Sequence, residues 1–208
     1  MNQVKVHLLI MLVTLLNFGC GKISPGATTI ICGKTWMTKN LDVDRYRNGD
    51  PVLRVTSPEK WEKLKTGAYC YYDNDSAKYA AIYGKLYNWY AVNDPRGLAP
   101  KGWRIPSRSE LEDLETCINS NGGSLKSTNL DFWMPPNTGA TNSTGFDGRG
   151  GGSLAYGTFI NLKFSGSWWS ATPADAAAYS LYLFYGTSLL DIKSDKITVG
   201  HSVRCIKD

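Results

Sequence analysis

The stretch Gly102-Trp103-Arg104-Ile105-Pro106-Ser107-Arg108-Ser109-Glu110 leads from a short apolar run into the clearest helix start of the chain. Ser107 and Glu110 have the spacing of a capping box, in which each side chain accepts a hydrogen bond from the other residue's backbone N–H. Apolar residues then recur at i, i+3 and i+7, at Leu111, Leu114 and Ile118. The pattern predicts a helix from Ser109 to Asn119, ended by Asn121-Gly122-Gly123.

The residues before this helix predict a hairpin and a second, shorter helix. β-branched and aromatic residues flank Gly33-Lys34, so we expect Thr28 to Cys32 and Thr35 to Leu41 to pair as a hairpin. Within Tyr83 to Val92, apolar residues three and four apart share one helical face. This segment is therefore predicted to be a short helix, stopped by Asn93-Asp94-Pro95.

The residues after the helix predict a long loop followed by strands. Leu125 to Gly166 is rich in Gly, Asn, Ser and Thr and is expected to be irregular. The expected strands are Ser167–Ala171, Ala178–Tyr185, Ser188–Ile192 and His201–Ile206. Turns are expected at Gly186-Thr187 and at Ser194-Asp195-Lys196. The sequence thus predicts strands after the helices in the C-terminal part of the chain.

The composition argues against several classes of function. The 208 residues include 12 Tyr, 7 Trp and 21 Gly, but the 2 histidines are His7, in a segment expected to be removed, and His201. A His-rich zinc site is therefore disfavoured, and no cofactor or metal motif is recognised. We expect His201 in a loop or at a strand edge, and not as a catalytic base. The net charge of +5 is small and its basic residues are not clustered, so no nucleic-acid partner is expected.

The N-terminus has the pattern of a bacterial export signal. Lys5 precedes an apolar run from Leu8 to Leu16, far shorter than the ~20 residues that span a bilayer. Leu16-Asn17-Phe18-Gly19-Cys20 resembles a lipobox, in which the cysteine is lipidated, and plain secretion is the alternative. The expected organisation is a signal peptide over 1–19, a lipidated tether over 20–28 and a single domain over 29–208. We expect an outer-membrane or cell-surface protein whose membrane contact is the lipid on Cys20.

The cysteines that remain after lipidation suggest disulfides. They are Cys32, Cys70, Cys117 and Cys205. An even number in an exported chain favours pairing, and no CxxC spacing indicates a zinc ribbon or a thioredoxin-type site. The residues leave three pairings open. A bond between Cys117 and Cys205 is the working hypothesis, and buried free thiols are the alternative.

Several motifs occur in a recognisable order. They are Trp36-Met37-Thr38-Lys39-Asn40-Leu41, Tyr83-Gly84-Lys85-Leu86-Tyr87-Asn88-Trp89-Tyr90, Gly97-Leu98-Ala99-Pro100-Lys101-Gly102-Trp103, Pro136-Asn137-Thr138-Gly139-Ala140-Thr141-Asn142, Trp168-Trp169-Ser170 and Ser202-Val203-Arg204-Cys205-Ile206. In this order they resemble the Fibrobacter succinogenes major paralogous domain, over about Thr29 to Asp208. The resemblance implies a C-type-lectin-like α+β fold, with two helices packed on a small twisted antiparallel sheet and long irregular loops. It implies no activity, and the lectin calcium signatures Glu-Pro-Asn and Trp-Asn-Asp are absent.

The aromatic C-terminal strands are the candidate binding face. Trp168 and Trp169 are adjacent on a strand and must face opposite ways, so at most one is expected in the core. Related lectin-fold lipoproteins are diversified by retroelements, and Tyr179 to Thr198 is similar to such a variable region. The candidate ligand-binding residues are Trp169, Tyr182, Phe184, Tyr185, Ser188, Leu190 and Asp191.

These observations predict a non-enzymatic surface lipoprotein that binds a glycan or protein ligand through its C-terminal β-face. One alternative is an enzyme related to the formylglycine-generating group, with a pocket of perturbed groups around Cys205 or His201. Another is a structural envelope or adhesion module. A disulfide at Cys205 together with a solvent-exposed His201 would count against the enzyme.

Overall fold

The computed structural model describes residues 27–208, which contain helices and several small, mostly antiparallel sheets. The helices are α1 (Pro58–Trp61), α2 (Ser76–Tyr83), α3 (Trp89–Val92) and α4 (Arg108–Cys117). The strands are β1 (Thr28–Ile31), β2 (Lys34–Met37), β3 (Leu53–Arg54), β4 (Ala68–Cys70), β5 (Leu86–Tyr87), β6 (Trp103–Arg104), β7 (Gly151–Ala155), β8 (Thr158–Leu162), β9 (Ser165–Ala174), β10 (Ala177–Phe184), β11 (Leu190–Lys196) and β12 (Ile206–Lys207). The α+β class is confirmed. The expected signal peptide and Cys20 lie outside the described residues.

The two ends of the domain meet in one sheet, with strand order β1-β2-β12-β6. The hairpin of β1 and β2 is confirmed, and Ile206 of β12 pairs with Trp36 on one side and Arg104 on the other. The most clearly predicted helix is also confirmed. The side chain of Ser107 caps α4, and Glu110 completes the capping box.

One disulfide ties this sheet to α4, and it is not the expected one. Cys32 bonds to Cys117, whereas Cys205 and Cys70 are free and buried. The hypothesis of a bond between Cys117 and Cys205 is wrong, because Cys205 lies inside the core just before β12, while Cys32 sits in the exposed hairpin turn. The bond spans 85 positions in sequence. Closing a loop of that length stabilises the fold by about 4.5 kcal/mol in the chain-entropy description.

The predicted helix from Tyr83 to Val92 is wrong. Helix α2 ends instead at Tyr83, and the residue that follows, Gly84, has a φ of 69°, in the left-handed region. A Cβ at Gly84 would come within 3.0 Å of the Leu41 carbonyl oxygen, so the close approach also favours glycine. The chain then forms β5, which pairs with β4, before a single helical turn begins after Asn88. Tertiary pairing therefore overrides the helical spacing of the apolar residues.

The C-terminal strands form a three-stranded antiparallel sheet with order β11-β10-β9. Leu181 and Leu183 of β10 point into the core, while Ser180 and Tyr182 point to the opposite face. We call this opposite side the outer face of the sheet. The expected turn at residues 194–196 is wrong, because these residues extend β11 and pair with β10.

Trp168 and Trp169 do face opposite ways, yet both are buried, with 2% and 0% of their surface exposed. Trp168 packs beside Phe146 in one core cluster, and Trp169 belongs to a second cluster with Tyr87 and Trp89. The expectation that at most one belongs to the core is wrong, because β9 is covered on both faces at this point.

The long segment from 125 to 166 contains structure that its composition does not predict. Strands β7 and β8 form an antiparallel hairpin within it. The Lys126 ammonium is buried and donates to the backbone carbonyls of Thr138, Phe184 and Thr187 at 2.7, 2.9 and 2.9 Å. These bonds tie the segment to the end of β10. Among residues 27–208, no helix combines the length and apolar character needed to cross a membrane.

Candidate binding cleft

A cleft of about 230 Å³ opens between the β7–β8 hairpin and the outer face of β10 and β11. It is lined by Ser153, Ala155, Tyr156, Ile160, Asn161, Tyr182, Ser194, Asp195, Lys196, Val199 and His201. His201 is fixed by its backbone, which exchanges hydrogen bonds of 3.0 and 2.8 Å with Tyr87 of β5. The neighbouring Gly200 pairs with Leu154 of β7. The floor of the cleft is therefore hydrogen-bonded to two strands.

Tyr156 stands at the tip of the hairpin, in a two-residue turn with Gly157. Their φ angles of 52° and 70° are both in the left-handed region, which suits a tight hairpin. Glycine adopts this conformation freely, but a residue with a Cβ is destabilised there by ~1 to 2 kcal/mol. The Tyr156 side chain is nevertheless 75% exposed, and the Lys196 ammonium lies 5.3 Å from its ring centroid. Folding stability does not explain a strained, exposed ring beside a cleft.

His201 is the centre of a buried hydrogen-bond network, with only 1% of its surface exposed. Its Nδ1 lies 2.8 Å from the Ser167 hydroxyl and 3.0 Å from the Ser153 hydroxyl. Its Nε2 lies 3.1 Å from the Tyr182 hydroxyl and 3.2 Å from Asp195 Oδ2. A carboxylate only accepts, so in the neutral imidazole Nε2 carries the hydrogen and Nδ1 accepts from serine. His201 lies outside the named strands, as expected for a loop or edge residue, but the strands around it bury its side chain.

Asp195 lines the cleft and uses one of its two carboxylate oxygens in hydrogen bonds to the described residues. Its Oδ2 accepts hydrogen bonds from His201, from the Tyr182 hydroxyl at 2.8 Å and from the Ser180 hydroxyl. Burial raises the pKa of Asp195, but these hydrogen bonds outweigh it, and the pKa falls below its usual value. Within residues 27–208 no donor meets Oδ1, and the side chain is 23% exposed. Asp195 therefore offers an ionised acceptor to a ligand.

Tyr182, Phe184 and Asp191, all predicted as binding residues, share the outer face of the sheet. The rings of Tyr182 and Phe184 are stacked, with centroids 5.8 Å apart and an interplanar angle of 7°. Asp191 lies opposite Tyr182 in the register and forms an ion pair of 2.6 Å with Lys193. Burial, followed by the charge of Asp195, raises the pKa of Tyr182 well above its usual value, so its hydroxyl stays protonated as a donor.

Two predicted binding residues are in the core, so their prediction as ligand contacts is wrong. Leu190 is 5% exposed, because it lies opposite the inward-facing Leu183. Trp169 is fully buried, and its indole N–H donates to the Tyr87 carbonyl at 2.8 Å. The Trp169 ring also packs on His201, with centroids 4.5 Å apart. Trp169 thus supports the cleft from beneath.

The remaining predicted residues, Tyr185 and Ser188, follow β10 at the opposite end from Asp195. Tyr185 packs on Phe164, with ring centroids 4.4 Å apart, and Ser188 lies against Gly139. The structure does not bring these two residues to the cleft. Residues 179–198 therefore contribute to two separate surfaces, one at the cleft and one at the opposite end of β10.

The sequence reasoning missed Tyr156 and Asp195 as site residues and gave His201 no role in binding. The position of Tyr156 at a hairpin tip could be predicted, since Tyr156-Gly157 separates two short apolar segments at the spacing of a two-residue hairpin. The other two were not obtainable from local patterns. Asp195 and His201 are only six positions apart, but their contact depends on the pairing of Asp195 with Ala178 and on the bridge of His201 to Tyr87, which no local pattern shows.

The enzyme alternative relied on Cys205 or His201, and the observation that would count against it is not made, because Cys205 forms no disulfide and His201 is buried. Burial raises the pKa of the Cys205 thiol to about 12, so it is protonated at neutral pH and a poor nucleophile. Burial also raises the pKa of the Cys70 thiol. No group of three or more His, Cys, Asp or Glu side chains among the described residues is arranged to hold a metal ion.

The motifs and the fold can be compared with known families. The profile of the Fibrobacter succinogenes major domain matches residues 30–207. The chain belongs to this family. No curated protein and no solved structure gives a significant match. The family resemblance found in the motifs is therefore confirmed.

Proposed function

We propose that this Fibrobacter succinogenes major domain protein is a non-enzymatic, exported lipoprotein that binds a glycan in the cleft. One observation carries the proposal: Tyr156 holds an exposed ring in a strained turn that borders the same cleft as the ionised Asp195. A sugar ring has an apolar face that stacks on an aromatic side chain, and hydroxyls that donate to a carboxylate. Tyr156 and Asp195 supply both kinds of contact.

The size and polarity of the cleft favour a sugar over a folded protein as the ligand. A stable protein interface buries about 800 Å² on each partner, usually over a largely apolar centre. Here the cleft encloses about 230 Å³, and its lining combines the apolar side chains of Ala155, Ile160 and Val199 with hydroxyl and carboxylate groups and the exposed amide of Asn161. The neighbouring outer face carries the Asp191–Lys193 ion pair, which interrupts its apolar surface.

Export as a lipoprotein through Cys20, and location at the outer membrane or cell surface, are parts of the same proposal. The disulfide between Cys32 and Cys117 supports export, because such bonds persist in oxidising compartments. The C-type-lectin-like arrangement remains our proposal for the fold family. In a retroelement-diversified binder, the variable positions would be those of the outer face, such as Tyr182, Phe184 and Asp191.

Glycan binding is tested with an immobilised glycan array and the variants Tyr156→Ala and Asp195→Asn. Each variant should lose about tenfold or more in affinity for the glycans that the wild type retains, since one ring or one charged acceptor is removed. Leu189→Ala is the matched control, because Leu189 is 61% exposed and does not line the cleft. Equal glycan binding by wild type, Tyr156→Ala and Asp195→Asn would refute the proposal. A null array together with self-association would favour a structural envelope or adhesion module.

A hydrolytic activity is the second candidate, favoured by the alignment of Ser153, His201 and Asp195. The Ser153 hydroxyl meets Nδ1 of His201, and Nε2 meets Asp195, the order of contacts found in nucleophile, base and acid triads. The Ser167 hydroxyl competes for the same Nδ1, and Ser153 is only 4% exposed. A fluorophosphonate probe separates the candidates: labelling that Ser153→Ala abolishes would establish the hydrolase, and its absence favours the binding protein.

A further inference from the structure

A second pocket, of about 190 Å³, lies between residues 38–42 and the C-terminal end of α2. It is lined by Thr38, Lys39, Asn40, Asp42, Ala80, Ala81, Ile82, Gly84, Arg149 and Arg204. It shares no lining residue with the glycan cleft. Its walls carry more cationic than anionic side chains, which distinguishes it from the cleft at Asp195.

The Arg204 guanidinium is buried in the wall of this pocket, with 2% of the residue exposed. Its Nε and Nη2 donate to Asn40 Oδ1 at 3.0 and 2.6 Å. Its Nη1 donates to the backbone carbonyls of Met37 and Phe146. The Phe146 ring lies 4.3 Å from the guanidinium carbon. Every one of these acceptors is neutral, and Arg204 forms no ion pair within residues 27–208, because the carboxylate of Asp147, which acts on it at longer range, pairs with Arg149.

A buried charge without a counter-ion is destabilising, because desolvation is not repaid by an opposite charge. The effect is visible in Arg204 itself, whose pKa burial lowers to about 9. A guanidinium has five N–H groups. Those of Nε and Nη1 and one of Nη2 are used within the described residues, so one N–H of Nη2 remains.

The other charges around the pocket compensate one another, except at Lys39. Arg149 pairs with Asp147 at 2.8 Å, and Asp42 pairs with Lys85 at 2.7 Å. Lys39 is exposed, and no carboxylate of the described residues forms an ion pair with it. Arg204 and Lys39 are therefore the cations of the pocket lining that form no ion pair with a described residue.

The carbonyl groups at the end of α2 do not neutralise this excess. Such carbonyls carry the negative end of the helix dipole and would repel an anion if they were unpaired. Here the Ile82 carbonyl accepts from Arg149 at 3.1 Å, and the Tyr83 carbonyl accepts from Asn40 at 2.9 Å. The pocket is left with a surplus of donors and positive charge.

We infer that this pocket binds a small tetrahedral oxyanion, a sulfate or a phosphate, either free or as a monoester. The anion would accept a hydrogen bond from the remaining N–H of Arg204 and pair with Lys39, and Arg149 also lines the pocket. This site is independent of glycan binding in the cleft, since the two share no residue.

The inference is tested by isothermal titration of the full chain with sodium sulfate and sodium phosphate at constant ionic strength. Sodium acetate is the planar comparison, and glucose 6-sulfate and glycerol 3-phosphate are the monoester probes. We expect saturable one-to-one binding of sulfate or phosphate that exceeds binding of acetate. Tighter binding of a monoester than of the inorganic ion would identify the anion as the end group of a larger ligand.

The matched variants are Ala81→Glu and Ala77→Glu, two exposed alanines one turn apart on α2. Only Ala81 lines the pocket, so Ala81→Glu places a carboxylate there and should abolish anion binding, whereas Ala77→Glu should bind as the wild type. Lys39→Ala should weaken binding roughly fivefold, as loss of one partly solvated ion pair predicts, and Lys101→Ala should not. Absence of saturable binding, or equal binding by both glutamate variants, would overturn the inference.

Discussion

The two faces of strand β10 use the same backbone for different purposes. On the inner face, Leu181 and Leu183 are each 1% exposed and pack in an apolar cluster. On the outer face, Ser180 and Tyr182 hydrogen-bond to Asp195, which in turn meets His201. Adjacent residues of one strand therefore belong to an apolar core and to a polar network that opens to solvent.

The difference shows where folding stability and binding separate in this domain. The inner face gains free energy from every apolar group removed from water. The outer face holds an ionised carboxylate partly out of water, and the hairpin above it holds Tyr156 in a strained turn. We expect substitutions on the inner face to change mainly the free energy of unfolding, and substitutions at the cleft to change mainly binding.

The largest effect is expected for Leu183→Ala on the inner face. Removing a fully buried leucine side chain leaves a cavity, and the free energy of unfolding should fall by about 2 to 5 kcal/mol. Denaturant unfolding measures this loss, and glycan affinity of the folded variant should remain within about twofold of wild type. If Leu183→Ala lost as much glycan affinity as Asp195→Asn, the proposed division between a stabilising inner face and a binding outer face would be wrong.

A smaller, pH-dependent effect is expected for Asp195→Asn. Because the native pKa of Asp195 lies below its unfolded value, about 3.9, the native carboxylate contributes stability above that pH. The contribution is lost as the pH falls through the native pKa. At pH 7 the variant should be less stable by about 1 to 2 kcal/mol, since hydrogen bonds to a charged acceptor become neutral ones.

The measurement is the difference in unfolding free energy between wild type and Asp195→Asn as a function of pH. The difference should shrink as the pH falls below about 4. Glu110, whose pKa the Arg104 hydrogen bond lowers to about 2, causes acid sensitivity in both proteins and cancels in the difference. A difference that is constant from pH 7 to pH 3 would contradict the assigned shift.

The parts of this structure that could be predicted from sequence are those set by neighbours in the chain. The capping box at Ser107 and the hairpin around Gly33-Lys34 depend on residues within a few positions of one another. Side chains alternate between the faces of a strand, so the expected strand Ala178–Tyr185 places Tyr182 and Phe184 on one face, as the structure does. Family motifs added the α+β class, although they do not specify which residues contact a ligand.

The parts that could not be predicted depend on distant pairing. Trp169 is of a residue type that is common in binding sites, but residues of β5 and α3 bury it. No local sequence pattern indicates this burial. From the sequence, Cys117 could pair with any of three cysteines. In the folded domain the hairpin turn places Cys32 beside it. The side chain of His201 meets Asp195 only because the His201 backbone pairs with Tyr87, which is distant in sequence. The site was therefore less predictable than the fold.

The smallest expected effect concerns the backbone under Tyr156. Tyr156→Ala and Tyr156→Gly both remove the ring, so both should lose glycan binding, but only glycine relieves the left-handed conformation. Glycine avoids the cost of the left-handed conformation, but its unfolded chain has more conformational entropy, which offsets part of that gain. The net free energy of unfolding of Tyr156→Gly should exceed that of Tyr156→Ala by about 0.5 to 1 kcal/mol. Thermal unfolding of the two variants measures this difference directly. If alanine were the more stable of the two, the turn would not be strained, and the argument that Tyr156 is kept for its ring would lose its energetic basis.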